Sequence, residues 1–188
     1  KPVNIDVSTF ANINLLWPNI QNEKTLSILL DLSLNFIDVS ILNNKTLEIS
    51  RNIPINNEEY KTSFLSSGQD KIILEKTSDK IVRSIVEGIE NALSSCKNID
   101  DSKHVEFIYF LGGGSLASYI TSKLEAVTEV QVITVPFTLP IKSKMTDSSS
   151  MDYTATSLGL ALRETKTNFI EINLLPDNLK KLPTQVIN

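Results

Sequence analysis

Three consecutive glycines, Gly112, Gly113 and Gly114, interrupt the apolar stretch "FIYFLGGGSLASYI". The chain has only six glycines, so half of them stand at this one point. Glycine reaches backbone conformations closed to other residues, and it lets another group come close to the main chain. A helix starting just after such a turn adds unpaired N–H groups and the positive end of its dipole. Phosphates and nucleotides bind at such places. "GGGSLA" fits the G-x-G-x-x-[GA] pattern of dinucleotide turns, which also expects an acidic residue ~20 positions on. The matching neighbourhood, Gln131-Val132-Ile133-Thr134-Val135-Pro136, holds no acid. No Lys-Ser or Lys-Thr follows at the spacing of a P-loop. Local residues leave two readings open: a ligand-binding turn, or a strand-to-helix turn that binds nothing.

Asp31 is the second candidate. It ends the apolar run "TLSILLD" just before the turn Ser33-Leu34-Asn35. A carboxylate there can hold a metal-bound water or a nucleophile, or it can merely cap the turn. Asp38 is expected to be solvated or paired. The pairs Glu58-Glu59 and Asp100-Asp101 lie in charged contexts and read as solvated surface. The single cysteine, Cys96, excludes an internal disulfide and a multi-cysteine metal site. The single histidine, His104, excludes a His cluster and has no recognisable catalytic partner. Both read as ordinary structural residues.

These candidates need elements to hold them. "PVNIDV" reads as a strand, and Ser8 or Thr9 as the cap of a helix from Phe10 towards Trp17. Residues 25 to 55 read as a three-strand meander: "TLSILLDLS", "FIDVSILN" and "TLEISRNIPI", with a second turn at Asn43-Asn44-Lys45. A short helix is expected around Tyr60 to Leu65, then a loop at Ser66-Ser67-Gly68. Ile81, Val82, Ile85, Val86, Ile89 and Leu93 fall on one stripe, which predicts a helix from Asp79 capped by Ser78. "HVEFIYFL" is apolar enough to be a strand buried on both faces, as in a parallel sheet. With the helix after the glycines and the strand "EVQVITVPF", it makes a βαβ unit between 104 and 136. Residues 140 to 151 read as a loop, and "YTATSLGLALRET" as a helix with small residues for close packing.

The bulk properties bound the function. Of 188 residues, 41% are hydrophobic, which suits a globular chain of one domain or two small lobes. The net charge of −4 and the lack of a basic stripe argue against nucleic acid or anionic lipid as the main partner. No apolar run approaches the ~18 residues that cross a bilayer. Lys1-Pro2-Val3-Asn4-Ile5 lacks the apolar core of a signal peptide. The chain reads as entered part-way, a fragment or one lobe of something larger.

Taken in order, "PVNIDVSTFANINLL", "LLDLSLNFIDVSILNNKTLEISRNIPI", "FIYFLGGGSLASYITSKLEA", "VPF" and "SLGLALRE" resemble the second half of the type IV pilus assembly PilM family. That family is actin-like and related to the cell-division protein FtsA. The resemblance implies an α/β, actin-like (ribonuclease-H-like) fold with a mixed sheet flanked by helices and a small α/β insert. It implies a large subdomain from residues 1–57 and 98–168, a smaller inserted subdomain over 58–97, and a partner tail over 169–188. Asp31 to Asp38 would be the second phosphate hairpin, with Asp31, Ser33 and Asn35 facing ATP and Asp31 facing Mg²⁺. Gly112, Gly113, Gly114 and Ser115 would be the adenosine turn. The segment Ile172-Asn173-Leu174-Leu175-Pro176 resembles the cytoplasmic peptide of PilN, the inner-membrane partner of that family. In this chain it is expected to be free or to dock on another copy, the alternative being an amphipathic tail that packs on its own domain.

The phosphate hairpin departs from the family pattern. Ser33 stands where Asp-x-Gly expects glycine, and Phe36 and Ile37 stand where hydroxyls are expected. The first phosphate loop is expected to lie in a half outside these 188 residues. The implied function is a cytoplasmic scaffold, peripheral at the inner membrane through its partners. It would join a PilN-like protein to other platform and motor components, binding nucleotide without robust catalysis and acting at most as a weak ATPase. Three rivals remain: a secretion-system PilM/PilN-type fusion, an actin-like ATP-dependent kinase, and a dinucleotide-dependent oxidoreductase.

Overall fold

The computed structural model describes residues 7–16, 25–43, 46–65, 71–96, 99, 103–134, 155–162 and 174–176. Its centre is a five-stranded sheet in the order β3-β2-β1-β4-β5. The strands are β1 (Leu26–Leu32), β2 (Phe36–Asn43), β3 (Thr46–Pro54), β4 (Val105–Gly112) and β5 (Gln131–Thr134). Strands β1 to β3 form the expected antiparallel meander. Strand β4 lies parallel to β1 on one side and to β5 on the other. That is why "FIYFL" is apolar throughout: Ile108, Tyr109, Phe110 and Leu111 are buried between two layers of helices.

Alternation along the strands separates two cores. Ile28, Leu30 and Leu32 of β1 and Ile108 and Phe110 of β4 point to one face. They meet α2 (Glu58–Leu65), α3 (Lys71–Ser95) and α4 (Ala117–Thr128). Leu29, Tyr109 and Leu111 point to the other face, against α1 (Ser8–Leu16) and α5 (Ala155–Leu162). The stripe Ile81, Val82, Ile85 and Ile89 on α3 joins the first core, where each side chain buried contributes about 1.5–3 kcal/mol. The segment 58–97, expected as a smaller insert, therefore places its helices' apolar faces in the same core as the sheet.

One difference from the expected elements has a physical cause. Helix α3 starts at Lys71, not Asp79, because Ser78 is not a cap. It is buried mid-helix, where its Oγ donates to the Leu74 carbonyl at 2.6 Å, so the hydroxyl is satisfied within the preceding turn. Of the expected strand "EVQVITVPF", β5 covers Gln131–Thr134, and Val135, Pro136 and Phe137 lie outside the described residues. The expected strand at "PVNIDV" and the loops at 66–68 and 140–151 lie outside the described residues, apart from Val7.

Helices α1 and α5 approach very closely. A Cβ on Gly159 would sit 1.9 Å from the Ala11 carbonyl oxygen. Only glycine allows that contact, and the contact seats α5 over the first turns of α1. Gly159→Ala must push the helices apart, and overpacking of this kind typically costs about 1–3 kcal/mol. Urea unfolding monitored by circular dichroism should show that loss, with the slope of the transition unchanged.

Candidate functional site

Strands β1 and β4 run parallel, so their C-terminal ends lie side by side. Asp31 is the Cα partner of Leu111, and Leu32 of Gly112. The carboxylate and the glycine turn, 81 residues apart in the sequence by their numbers 31 and 112, thus share one end of the sheet. Ligands of open α/β sheets bind at such an end, where the strand order reverses.

The glycines are first a requirement of the chain itself. Their φ values are +77° at Gly112, +86° at Gly113 and +53° at Gly114, all in the left-handed region. A Cβ on Gly112 would lie 2.3 Å from the Leu32 carbonyl oxygen, and one on Gly113 would lie 2.9 Å from the Phe110 ring. The Gly113 N–H donates to that same Leu32 oxygen at 2.9 Å, which locks the turn to β1. A 3-10 turn, Gly114–Leu116, leads into α4. Within it the N–H of Leu116 bonds Gly113 and that of Ala117 bonds Gly114. Among the described residues, no backbone bond of the turn takes the N–H groups of Gly114 and Ser115, which makes them available donors.

Two hydroxyls expected to face a nucleotide are engaged elsewhere. Ser33 Oγ donates to the Phe36 carbonyl at 2.9 Å and accepts the Phe36 N–H at 3.2 Å, closing the hairpin. Ser115 Oγ donates to the Ser63 carbonyl of α2. Helix α2 also reaches the hairpin, because Tyr60 Oη donates to the Ser33 carbonyl at 2.7 Å. Asn57 caps this helix by accepting the N–H groups of Glu59 and Tyr60. One short helix therefore braces both loops. Asn35 is exposed, and its carbonyl accepts the Ile55 N–H at 2.7 Å.

Asp31 follows Leu29 in the alternation and faces α1. Its Oδ2 accepts Asn12 Nδ2 at 2.7 Å. Asn12 Oδ1 in turn accepts the Thr156 hydroxyl of α5 at 3.1 Å. Asp38 is paired across the ladder with Asp31 and accepts Asn52 Nδ2 at 2.8 Å. Burial pushes the Asp31 carboxyl up to about 6, the Asn12 bond opposes this, and the nearby Asp38 charge adds to it. Burial also raises Asp38, against the Asn52 bond. Sequence reasoning missed Asn12 and Thr156; a polar residue inside the apolar "FANINLL" was the available signal.

A cation with nucleotide fits part of this set. Asp31 offers its second oxygen, and Gly114 and Ser115 offer backbone donors. No group of three or more His, Cys, Asp or Glu side chains converges among the described residues. A Mg²⁺ ion would have to complete its shell with phosphate and water, which is its usual habit. The hydroxyls of Ser33 and Ser115 do not fit that role. In the tail, Ile172 and Asn173 lie outside the described residues, and Leu174 and Pro176 are exposed. Leu175 is only 2% exposed. The expectation of a free tail fails at this residue, since an apolar side chain gains by leaving water. Cys96 is a free, partly buried thiol whose pKa burial raises, with Glu48 adding to it.

Similarity in structure now decides the fold. A PilM–PilN type IV pilus biogenesis complex matches with a TM-score of 0.65 at 19% identity, over 88% of this chain and 54% of that one. Ta0583, an archaeal actin homolog, in complex with ADP, matches with a TM-score of 0.52 at 14% identity, over 86% and 57%. An apo pSK41 ParM protein matches with a TM-score of 0.52 at 14% identity, over 85% and 50%. The fold is actin-like. The chain spans about half the length of the solved structures it matches. No family model and no curated protein matches the sequence.

The raised Asp31 carboxyl makes stability depend on pH. The folded chain holds this proton more tightly than the unfolded chain, whose value is the ordinary 3.8. Its contribution is fully present below about pH 4 and is lost as pH rises through about 6. Asp31→Asn removes that loss. Relative to the parent, it should gain stability between about pH 4 and pH 8, by at most about 3 kcal/mol. Thermal melts at both pH values check this, and an equal difference at the two would contradict it.

Proposed function

We propose that this chain is a lobe of an actin-like assembly protein in a type IV pilus machine. It works as a cytoplasmic scaffold that joins a PilN-type membrane partner to platform and motor proteins. Nucleotide acts as a conformational ligand that biases one arrangement over another. The observation that carries this reading is the pairing of Asp31 with the glycine turn at one end of β1 and β4, while the neighbouring hydroxyls stay engaged in the fold. That pattern suits binding without chemistry: it has a cation ligand and backbone donors, but no free side-chain hydroxyl among the residues expected to meet phosphate. The similarity to the PilM–PilN structure supports the pilus assignment over other actin-like roles.

Isothermal calorimetry with Mg²⁺ and ATP tests it. Binding is expected, with no hydrolysis above the buffer rate. Gly114→Asn keeps the positive φ accessible while adding a side chain at the turn. It should weaken binding at least about tenfold, or 1.4 kcal/mol. Steady ATP turnover by the parent would sink the scaffold reading, and unchanged affinity in the variant would remove the turn from the site.

A further inference from the structure

A buried asparagine amide is costly unless both of its ends are paired. Asn12 is 1% exposed on an almost wholly buried helix, and both ends are paired. Its Nδ2 donates to Asp31 Oδ2 at 2.7 Å, and its Oδ1 accepts Thr156 Oγ1 at 3.1 Å. Chemistry fixes the sense of this chain. An ionised carboxylate only accepts, whereas a threonine hydroxyl donates or accepts. Asn12 must therefore turn its NH₂ to Asp31 and its oxygen to α5, and the Thr156 hydroxyl follows that choice as the donor. The line crosses three elements, from α5 through α1 to β1. Its neighbours are closely packed: Ala11, next to Asn12, is the residue whose carbonyl lies against Gly159 of α5.

We infer that Asn12 and Thr156 are positioning residues for Asp31, and that this relay makes α5 respond to whatever Asp31 binds. The inference rests on the reading of Asp31 as the cation-side group of a nucleotide site. Carboxylates that ligate cations are commonly oriented by a hydrogen bond from behind. A cation on the free oxygen weakens Oδ2 as an acceptor. The Asn12 amide is then less polarised, and its bond to Thr156 weakens with it, because bonds in such a chain strengthen one another. Thr156 sits at the start of α5, so the change reaches a helix held on α1.

Nuclear magnetic resonance on the ¹⁵N-labelled full chain separates the two layers. Thr156→Val keeps the shape of the side chain and deletes the hydroxyl; Thr156→Ser restores it. In the ligand-free protein, Thr156→Val should shift the Asn12 side-chain amide signals and speed α5 amide exchange about fivefold, the effect of one lost hydrogen bond. Thr156→Ser should return both to the parent values. Unmoved Asn12 signals in Thr156→Val would overturn the relay. On adding Mg²⁺ with ATP, α5 amides should shift in the parent and in Thr156→Ser but not in Thr156→Val. Equal shifts in Thr156→Val would also overturn it. If the ligand-free results hold and Mg²⁺ with ATP moves no signal, the positioning role stands and the nucleotide reading fails.

Discussion

The parallel ladder between β1 and β4 is the contact on which the rest depends. It joins a meander that is contiguous in the chain to a strand–helix–strand unit that follows two intervening helices. It also sets which residues can meet, since parallel strands put their C-terminal ends together. Asp31 and the glycine turn are neighbours for that reason alone. The ladder ends in one unusual bond, from the Gly113 N–H to the Leu32 carbonyl, and the positive φ at Gly112 is what lets β4 turn there without a clash. A side chain at that position would collide with the backbone of β1, whatever ligand was present.

Two layers then hold this end of the sheet from opposite faces. On one face α2 fastens the hairpin and the glycine turn through Tyr60 and the Ser115–Ser63 bond. On the other, α1 and α5 hold Asp31 through Asn12 and Thr156. The first clamp is made from hydroxyl-to-carbonyl hydrogen bonds. The second contains a carboxyl that burial raises. The two faces therefore differ in kind: one fixes distances and the other is sensitive to charge.

Much of the fold was legible in residue order. The meander appeared because its strands alternate and its turns carry Ser and Asn. The buried β4 appeared because "FIYFL" has no polar side to offer water. Asp31 and the glycines could be named from their types, and the resemblance put them in one site, but the parallel β1–β4 pairing that brings them together joins segments far apart in the chain and was not read from the sequence. What could not be read was where each hydroxyl goes. Ser33 and Ser115 look like ligands in sequence, but the nearest acceptor in each case belongs to the protein, in one instance across 52 residues. Ser78 misled for a similar reason, as its preference for caps is a local bias that a buried turn overrides. Asn12 and Thr156 stand 144 residues apart and share no pattern that local reasoning could join.

The outer strand of the sheet carries one more consequence. The Ile55 N–H reaches inward to Asn35, so by alternation the nitrogen of Pro54 points away from β2. Proline has no hydrogen there to offer. A strand from another molecule that tried to extend the sheet along β3 would find a missing donor at its end and a charged Arg51 nearby. Edge strands guarded in this way resist the strand-on-strand growth that leads to aggregates. Among the described residues β3 is the last strand on its side of the sheet, and its end is thereby a poor template for a further strand.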